Sequence, residues 1–116
     1  MAESCLNILI IEDEALIAMM VEDFVDLLGH KVCGVCDSVG GAIERIGEGG
    51  IDAAILDVNL LDGPSWRVAD ALAARNIPFL FASGGHVDAP GHADAPLLSK
   101  PFTLDGVKSA LERIVA

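Results

Sequence analysis

Four short apolar runs in this 116-residue chain end on residues that can do chemistry. Leu6-Asn7-Ile8-Leu9-Ile10-Ile11 stops at Glu12-Asp13-Glu14, and Asp52-Ala53-Ala54-Ile55-Leu56-Asp57-Val58 delivers Asp57 near its end. Phe79-Leu80-Phe81-Ala82 ends at Ser83-Gly84-Gly85, and Leu97-Leu98-Ser99 leads into Lys100-Pro101. Three carboxylates crowded together repel one another, and a divalent cation is the usual remedy. Oxygen-only ligands favour a hard ion. A site with few protein ligands plus waters suits Mg²⁺, or Mn²⁺ in its place, better than Zn²⁺, which seeks His or Cys. A carboxylate is also a nucleophile toward phosphorus, a transfer promoted by in-line positioning and by cations on the nonbridging oxygens. Any one of these acids could simply cap a helix N-terminus. Taken together with Ser83 and Lys100, they point to a reaction centre.

Such a set converges only if the intervening elements bring the run ends to one edge. Each run is short and apolar, and the first, with Ile8, Ile10 and Ile11, is also rich in β-branched residues, as a strand buried on both faces should be. Lys31 to Cys36 reads as a further strand. Between the strands, Leu16, Ile17, Met20, Val21, Phe24, Leu27 and Leu28 recur at helical spacing, with Gly29 as a C-terminal cap. Ser38 can cap a second helix through Ala42, Ile43 and Ile46 that ends at Gly49-Gly50, although Gly40, Gly41 and Gly47 weaken it. A third helix carries Trp66, Ala69, Leu72 and Ala73, with Asp62-Gly63 as a turn before it and Pro64 suited to its first position. Thr103 can cap a last helix with Leu104, Val107, Ala110, Leu111 and Ile114 on one stripe. Alternating strands and helices imply a parallel sheet covered on both faces. In such sheets the functional crevice lies beyond the carboxyl ends of the strands, where all of the polar residues above fall.

The length fits one domain, residues 1–116, with no output domain expected, and a hydrophobic content of 53% supports a real core. A formal charge of -11 with only seven Lys and Arg, scattered along the chain, argues against binding nucleic acid or an anionic membrane. The first apolar run is too short to span a bilayer and no secretory leader precedes it, so a cytoplasmic location is expected. The three cysteines suit a reducing compartment. Cys33-Gly34-Val35-Cys36 matches C-x-x-C, but in a strand the two thiols are expected on opposite faces, which disfavours a redox pair.

These residues resemble the receiver domains of two-component response regulators. The resemblance covers the whole chain: Glu12-Asp13 after the first strand, Asp57 after the third, a hydroxyl residue at Ser83, and Lys100-Pro101-Phe102 after the fifth. It implies a flavodoxin-like, doubly wound (βα)5 α/β fold with a five-stranded parallel sheet in the order 2-1-3-4-5. Asp57 would accept a phosphoryl group from a sensor histidine kinase or a phosphotransfer protein. Glu12, Asp13, Asp57 and the backbone carbonyl of Asn59 would hold Mg²⁺. Lys100, aimed by a cis Lys100-Pro101 peptide, and Ser83 would contact the phosphoryl oxygens. Phosphorylation would then draw in Ser83 and its loop, a switch read by a downstream protein partner.

Two departures stand out. Ordinary receivers carry Tyr or Phe three residues before the lysine, and here Leu97 takes that place. The run Phe81-Ala82-Ser83-Gly84-Gly85-His86 is similar instead to the FAT GUY subgroup, whose motif is Phe-Ala-Thr-Gly-x-Tyr. Regulators of that subgroup are often single-domain partners of HWE and related histidine kinases. The switch and partner surface would then include Gly84, Gly85, His86, Leu97, Pro101 and Phe102. Overlapping the end of that run at Gly85-His86, the hexapeptide Gly-His-x-Asp-Ala-Pro is written twice, over residues 85–96. Its two prolines and two glycines disfavour a regular fourth helix, which is expected to be short, frayed or missing, and mobile before phosphorylation. Metal binding by His86, Asp88, His92 and Asp94 lacks a scaffold to preorganise it, and an adaptable partner surface is the better reading.

Competing functions fit less well. A phosphatase with an aspartate nucleophile wants a second acid two residues after Asp57, where Asn59 stands, and this chain has little room for a substrate cap. A pseudo-receiver that binds partners without phosphorylation would be marked by loss of Glu12, Asp13, Asp57 or Lys100, and all are present. Dinucleotide binding lacks its glycine-rich turn after the first strand.

Overall fold

The computed structural model describes residues 5–60, 62–83, 96–99 and 102–115. Its elements, in chain order, are β1 (Asn7–Ile11), α1 (Ala15–Leu27), β2 (Lys31–Cys36), α2 (Val39–Glu48), β3 (Ala53–Asp57), β4 (Asn59–Leu60), β5 (Gly63–Pro64), α3 (Trp66–Ala74), β6 (Phe79–Ser83), β7 (Leu97–Ser99) and α4 (Leu104–Val115). Five strands form a parallel sheet in the order β2-β1-β3-β6-β7, while β4 and β5 make a small antiparallel hairpin. With the hairpin set aside, this is the 2-1-3-4-5 order of the flavodoxin-like fold.

The central strands explain themselves. β1 and β3 are apolar at nearly every position and buried on both sides, so one residue parity feeds each face. Leu9, Ile11, Ala54, Leu56 and Phe81 pack with Val39, Ala42 and Ile46 of α2 and Val68, Ala69 and Leu72 of α3. The opposite parity, Ile8, Ile10, Ala53, Ile55, Leu80 and Leu98, meets Val21 and Val25 of α1 and Val107, Ala110 and Leu111 of α4.

Helix ends follow the sequence in most places. Gly29 takes φ +87° after α1, a conformation open to glycine. The Ser38 hydroxyl accepts the Gly41 N–H at 3.0 Å, and the Thr103 hydroxyl accepts the Gly106 N–H at 3.0 Å. A Cβ on Gly41 would lie 2.9 Å from that serine oxygen, so this glycine admits the cap rather than merely weakening the helix. One expectation fails: Pro64 lies in β5, and α3 begins at Trp66.

A second correction concerns the cysteines. The pairing of β1 with β2 slips between Ile8 and Leu9, whose partners are Val32 and Gly34, so Cys33 is an extra residue in β2. The bulge resets the alternation, and Cys33 and Cys36 both pack toward the α2 side rather than on opposite faces. Arg45 of α2 holds the bulge, with Nη2 donating to the Cys33 carbonyl at 3.3 Å and Nη1 to that of Gly49 at 2.8 Å. Gly34 makes room for it, since a Cβ there would come within 3.3 Å of Arg45 Nε and 3.2 Å of Leu9 Cδ1. Sharing a face does not make the thiols a redox pair. At ~3.3 Å per residue along a strand, three residues exceed the ~7 Å Cα limit for a disulfide. Burial also pushes both thiols above their ordinary range, against the opposing pull of Arg45.

The expected short or missing fourth helix, its mobility, and the duplicated hexapeptide up to residue 95 lie outside the described residues. So do Gly84, Gly85, His86, Lys100, Pro101 and the cis peptide expected between the last two.

Candidate functional site

Strand register brings the acids together. Ile11 pairs with Leu56 between neighbouring β1 and β3, so the next residue of each strand, Glu12 and Asp57, emerges side by side at the carboxyl edge. The Glu12 N–H donates to the Cys36 carbonyl at 2.9 Å, which carries the β1–β2 ladder one residue further and fixes where Glu12 leaves. Asp57 pairs with Ala82 of β6, which puts Ser83 one step beyond, at the end of its own strand beside Ser99 of β7.

Glu12 and Asp57 are buried, and Asp13 is half-buried above them. A carboxylate oxygen from each lies within 4.8 Å of the other two. Glu12 Oε2 also accepts the Glu14 N–H at 3.1 Å, just ahead of α1, so this acid serves the helix start as well as the cluster. The donor set fits Mg²⁺. Every ligand atom is a carboxylate oxygen, the kind of donor a hard divalent cation takes. Neither sulfur nor imidazole belongs to this cluster, which disfavours Zn²⁺.

The segment after Asp57 is tied down at several points. The Val58 N–H donates to the Ala82 carbonyl at 3.2 Å, and the Val58 carbonyl accepts the Ser65 hydroxyl at 2.7 Å. Asn59 then pairs with Pro64 across the hairpin. Asp62, at the hairpin's turn, accepts the N–H groups of Val39 at 2.8 Å and Gly40 at 3.5 Å, the first two residues of α2. That Val39 bond is the main cause holding the Asp62 carboxylate below its ordinary range. Neither tie is evident from the sequence. Asp62 reads there as half of an Asp-Gly turn, and Ser65 as one more hydroxyl ahead of a helix.

Of the other expected site residues, Leu97 is exposed on β7, whereas Phe102 is buried among Val107, Leu111 and their neighbours and contributes to the core. Trp66 keeps 36% of its surface exposed at the start of α3. No described helix is long and apolar enough to cross a membrane.

Comparison with known proteins matches this geometry. No family model matches the chain. The solution structure of SdrG from Sphingomonas melonis Fr1 is 52% identical over 99% of this chain and 100% of its own, with a TM-score of 0.88. A second SdrG structure, from Pseudomonas melonis Fr1 in the BeF3-activated conformation, is 53% identical over 98% and 100%, with a TM-score of 0.81. The PhyR response regulator REC domain of Erythrobacter litoralis is 27% identical over 97% of this chain and 91% of its own, with a TM-score of 0.80. Phyllosphere-induced regulator PhyR of Methylorubrum extorquens is 34% identical over 118 aligned residues, which cover 97% of this chain. The chain spans 44% of that regulator's length. With a relative above half identity matched along its whole length, the five-stranded order and the acids gathered at one edge, the chain belongs to the receiver domains of response regulators.

Proposed function

We propose that this domain is a phosphoacceptor switch in which Asp57 receives a phosphoryl group from a sensor histidine kinase, directly or through a phosphotransfer protein. The observation that carries the reading is the convergence of Glu12, Asp13 and Asp57, with oxygens within 4.8 Å of one another, at the carboxyl edge of the central strands. In the reaction an Asp57 carboxylate oxygen attacks phosphorus, and an O–P bond forms as the P–N bond to the donor imidazole breaks and that nitrogen keeps the electron pair. Burial of Asp57 against β1 and β6 limits its orientations and keeps bulk water from one side. Glu12, Asp13 and Asp57, with the carbonyl of Asn59, would hold Mg²⁺. When bound, that ion supplies positive charge against the nonbridging oxygens. Lys100 and Ser83 are assigned the remaining oxygens on the strength of their places in the sequence.

The proposed output is a change in partner binding, in the cytoplasm, with only slow self-dephosphorylation as chemistry of its own. The BeF3-activated structure of SdrG supports this, since beryllofluoride has the charge and tetrahedral shape of a phosphoryl group. Kinases of the HWE or related classes are the proposed donors, on the FAT GUY-like run from Phe81 to His86. PhyR of Bartonella quintana is described as an anti-anti-sigma factor, and the chain spans 48% of it, so a protein of a sigma-factor regulatory circuit is the first choice for binding trials.

The test is intact-mass spectrometry after incubation with acetyl phosphate and Mg²⁺, beside Asp57→Ala and an EDTA control. The expected result is one phosphoryl adduct that requires both Asp57 and the metal. Persistence of the adduct in Asp57→Ala would refute the assignment. If the wild-type protein takes up no phosphate, a beryllofluoride titration followed by amide chemical shifts decides, and its failure too would overturn the reading.

A further inference from the structure

Ser65 occupies the position just before α3, where a serine ordinarily turns its oxygen to a free N–H of the first turn. It does not do so here. The backbone is helical, φ -71° and ψ -15°, and the hydroxyl makes no cap bond. It reaches back seven residues to the Val58 carbonyl at 2.7 Å, and the side chain is sealed from solvent at 2% exposure. The backbone carbonyl of Ser65 meanwhile accepts from Val68 at 2.9 Å and Ala69 at 3.0 Å, so α3 starts on main-chain bonds alone.

Val58 is the residue between the phosphoacceptor and Asn59. Its N–H is held by Ala82 of β6 and its carbonyl by Ser65, so the peptide planes on both sides of its Cα are fixed. With both planes restrained, the φ and ψ torsions of Val58 have little room to move. The direction in which Asp57 leaves β3, and the point from which Asn59 turns into the hairpin, are thereby set together.

We propose that Ser65 is a positioning residue for the phosphoacceptor site: its hydroxyl locks the Val58 peptide and so holds Asp57 and the Asn59 carbonyl at the spacing one cation requires. The assignment rests on the phosphoacceptor reading. Ser65 touches no reacting atom and acts through Val58. Small displacements at a reaction centre are costly, and a carbonyl left without its buried partner would pull the strand exit toward another donor.

The experiment compares wild type, Ser65→Ala and Ser65→Cys by Mg²⁺ titration, read from the backbone amide shifts of Glu12, Asp13, Asp57 and Asn59, with acetyl phosphate uptake at saturating Mg²⁺ as a second readout. Ser65→Ala should raise the apparent Kd for Mg²⁺ by about fivefold or more, the range for a lost buried hydrogen bond, and slow phosphate uptake. Ser65→Cys, a weaker donor of similar size, should fall between the two, and it decides the matter if the alanine variant does not fold. Amide exchange at Val68 and Ala69 should stay near wild type, because alanine keeps the carbonyl they bond. A purely structural serine would give the opposite pattern, faster exchange across α3 with the Kd for Mg²⁺ within twofold of wild type, and that result overturns the proposal alone. Absence of both Mg²⁺ shifts and phosphate uptake in the wild type would overturn the phosphoacceptor reading and this proposal with it.

Discussion

The helices α2 and α3 lie side by side on one face of the sheet, and each follows a serine, yet their N-termini are built in opposite ways. α2 is capped twice from side chains, by Ser38 on Gly41 and by Asp62 on Val39 and Gly40. α3 has no side-chain cap, because its serine is bonded to Val58. Composition accounts for the difference. α2 reads VGGAIERIGE, with three glycines, a residue of low helix propensity, so it depends on its caps, one of which Gly41 makes room for. α3 reads WRVADALAA, with four alanines and no glycine, and can give up a cap without unwinding. A helix with propensity to spare leaves its leading hydroxyl for the strand exit beside Asp57.

That contrast can be broken most forcefully at the packing on which α3 relies. Leu72 is fully buried between α3 and the sheet, and Leu72→Ala should destabilise the domain by ~2–5 kcal/mol in urea unfolding, the range for a buried leucine. A smaller effect is expected at the capped helix. Ser38→Ala should cost about 1 kcal/mol and speed amide exchange at Gly41, with little change in Mg²⁺ affinity, whereas Ser65→Ala should move the Mg²⁺ affinity first. The smallest effect is expected at Asp62, whose carboxylate is exposed. Since its pKa is depressed in the folded state, the stability it adds is present above its unfolded value and is lost as pH falls through the folded one. The difference in Tm between wild type and Asp62→Asn should therefore be small near pH 6 and shrink toward about pH 3. A gap that widens on acidification would refute the tie to α2.

Much of this architecture is legible in the residues. The apolar runs, the acids that end them and the glycine after α1 specify strands, edge and helix stop, because each depends on local pattern. What escapes is what depends on a neighbour. The bulge at Cys33 leaves no mark in a Lys31–Cys36 run that reads as regular alternation; it exists because Arg45, twelve residues on, crosses Gly34 and takes the Cys33 carbonyl. Pro64 satisfies the rule for a first helical residue equally well two positions too early, and the hairpin with Asn59 claims it. Ser38 and Ser65 look alike in sequence, since nothing local reveals that a strand carbonyl lies within reach of only one of them.

The bulge has a bearing on how this chain behaves in a crowded cell. β2 is the outer strand of the sheet on its side, and its residues Val32 to Cys36 carry no charge. A regular uncharged border of that kind would offer a ready template for a strand of another molecule, the first step toward aggregation. Cys33 breaks the repeat of amide and carbonyl groups along that border, and the Arg45 guanidinium occupies the Cys33 carbonyl. The irregularity in β2, with Arg45 on its carbonyl, thus makes this border a poorer template for a pairing strand than a regular one would be.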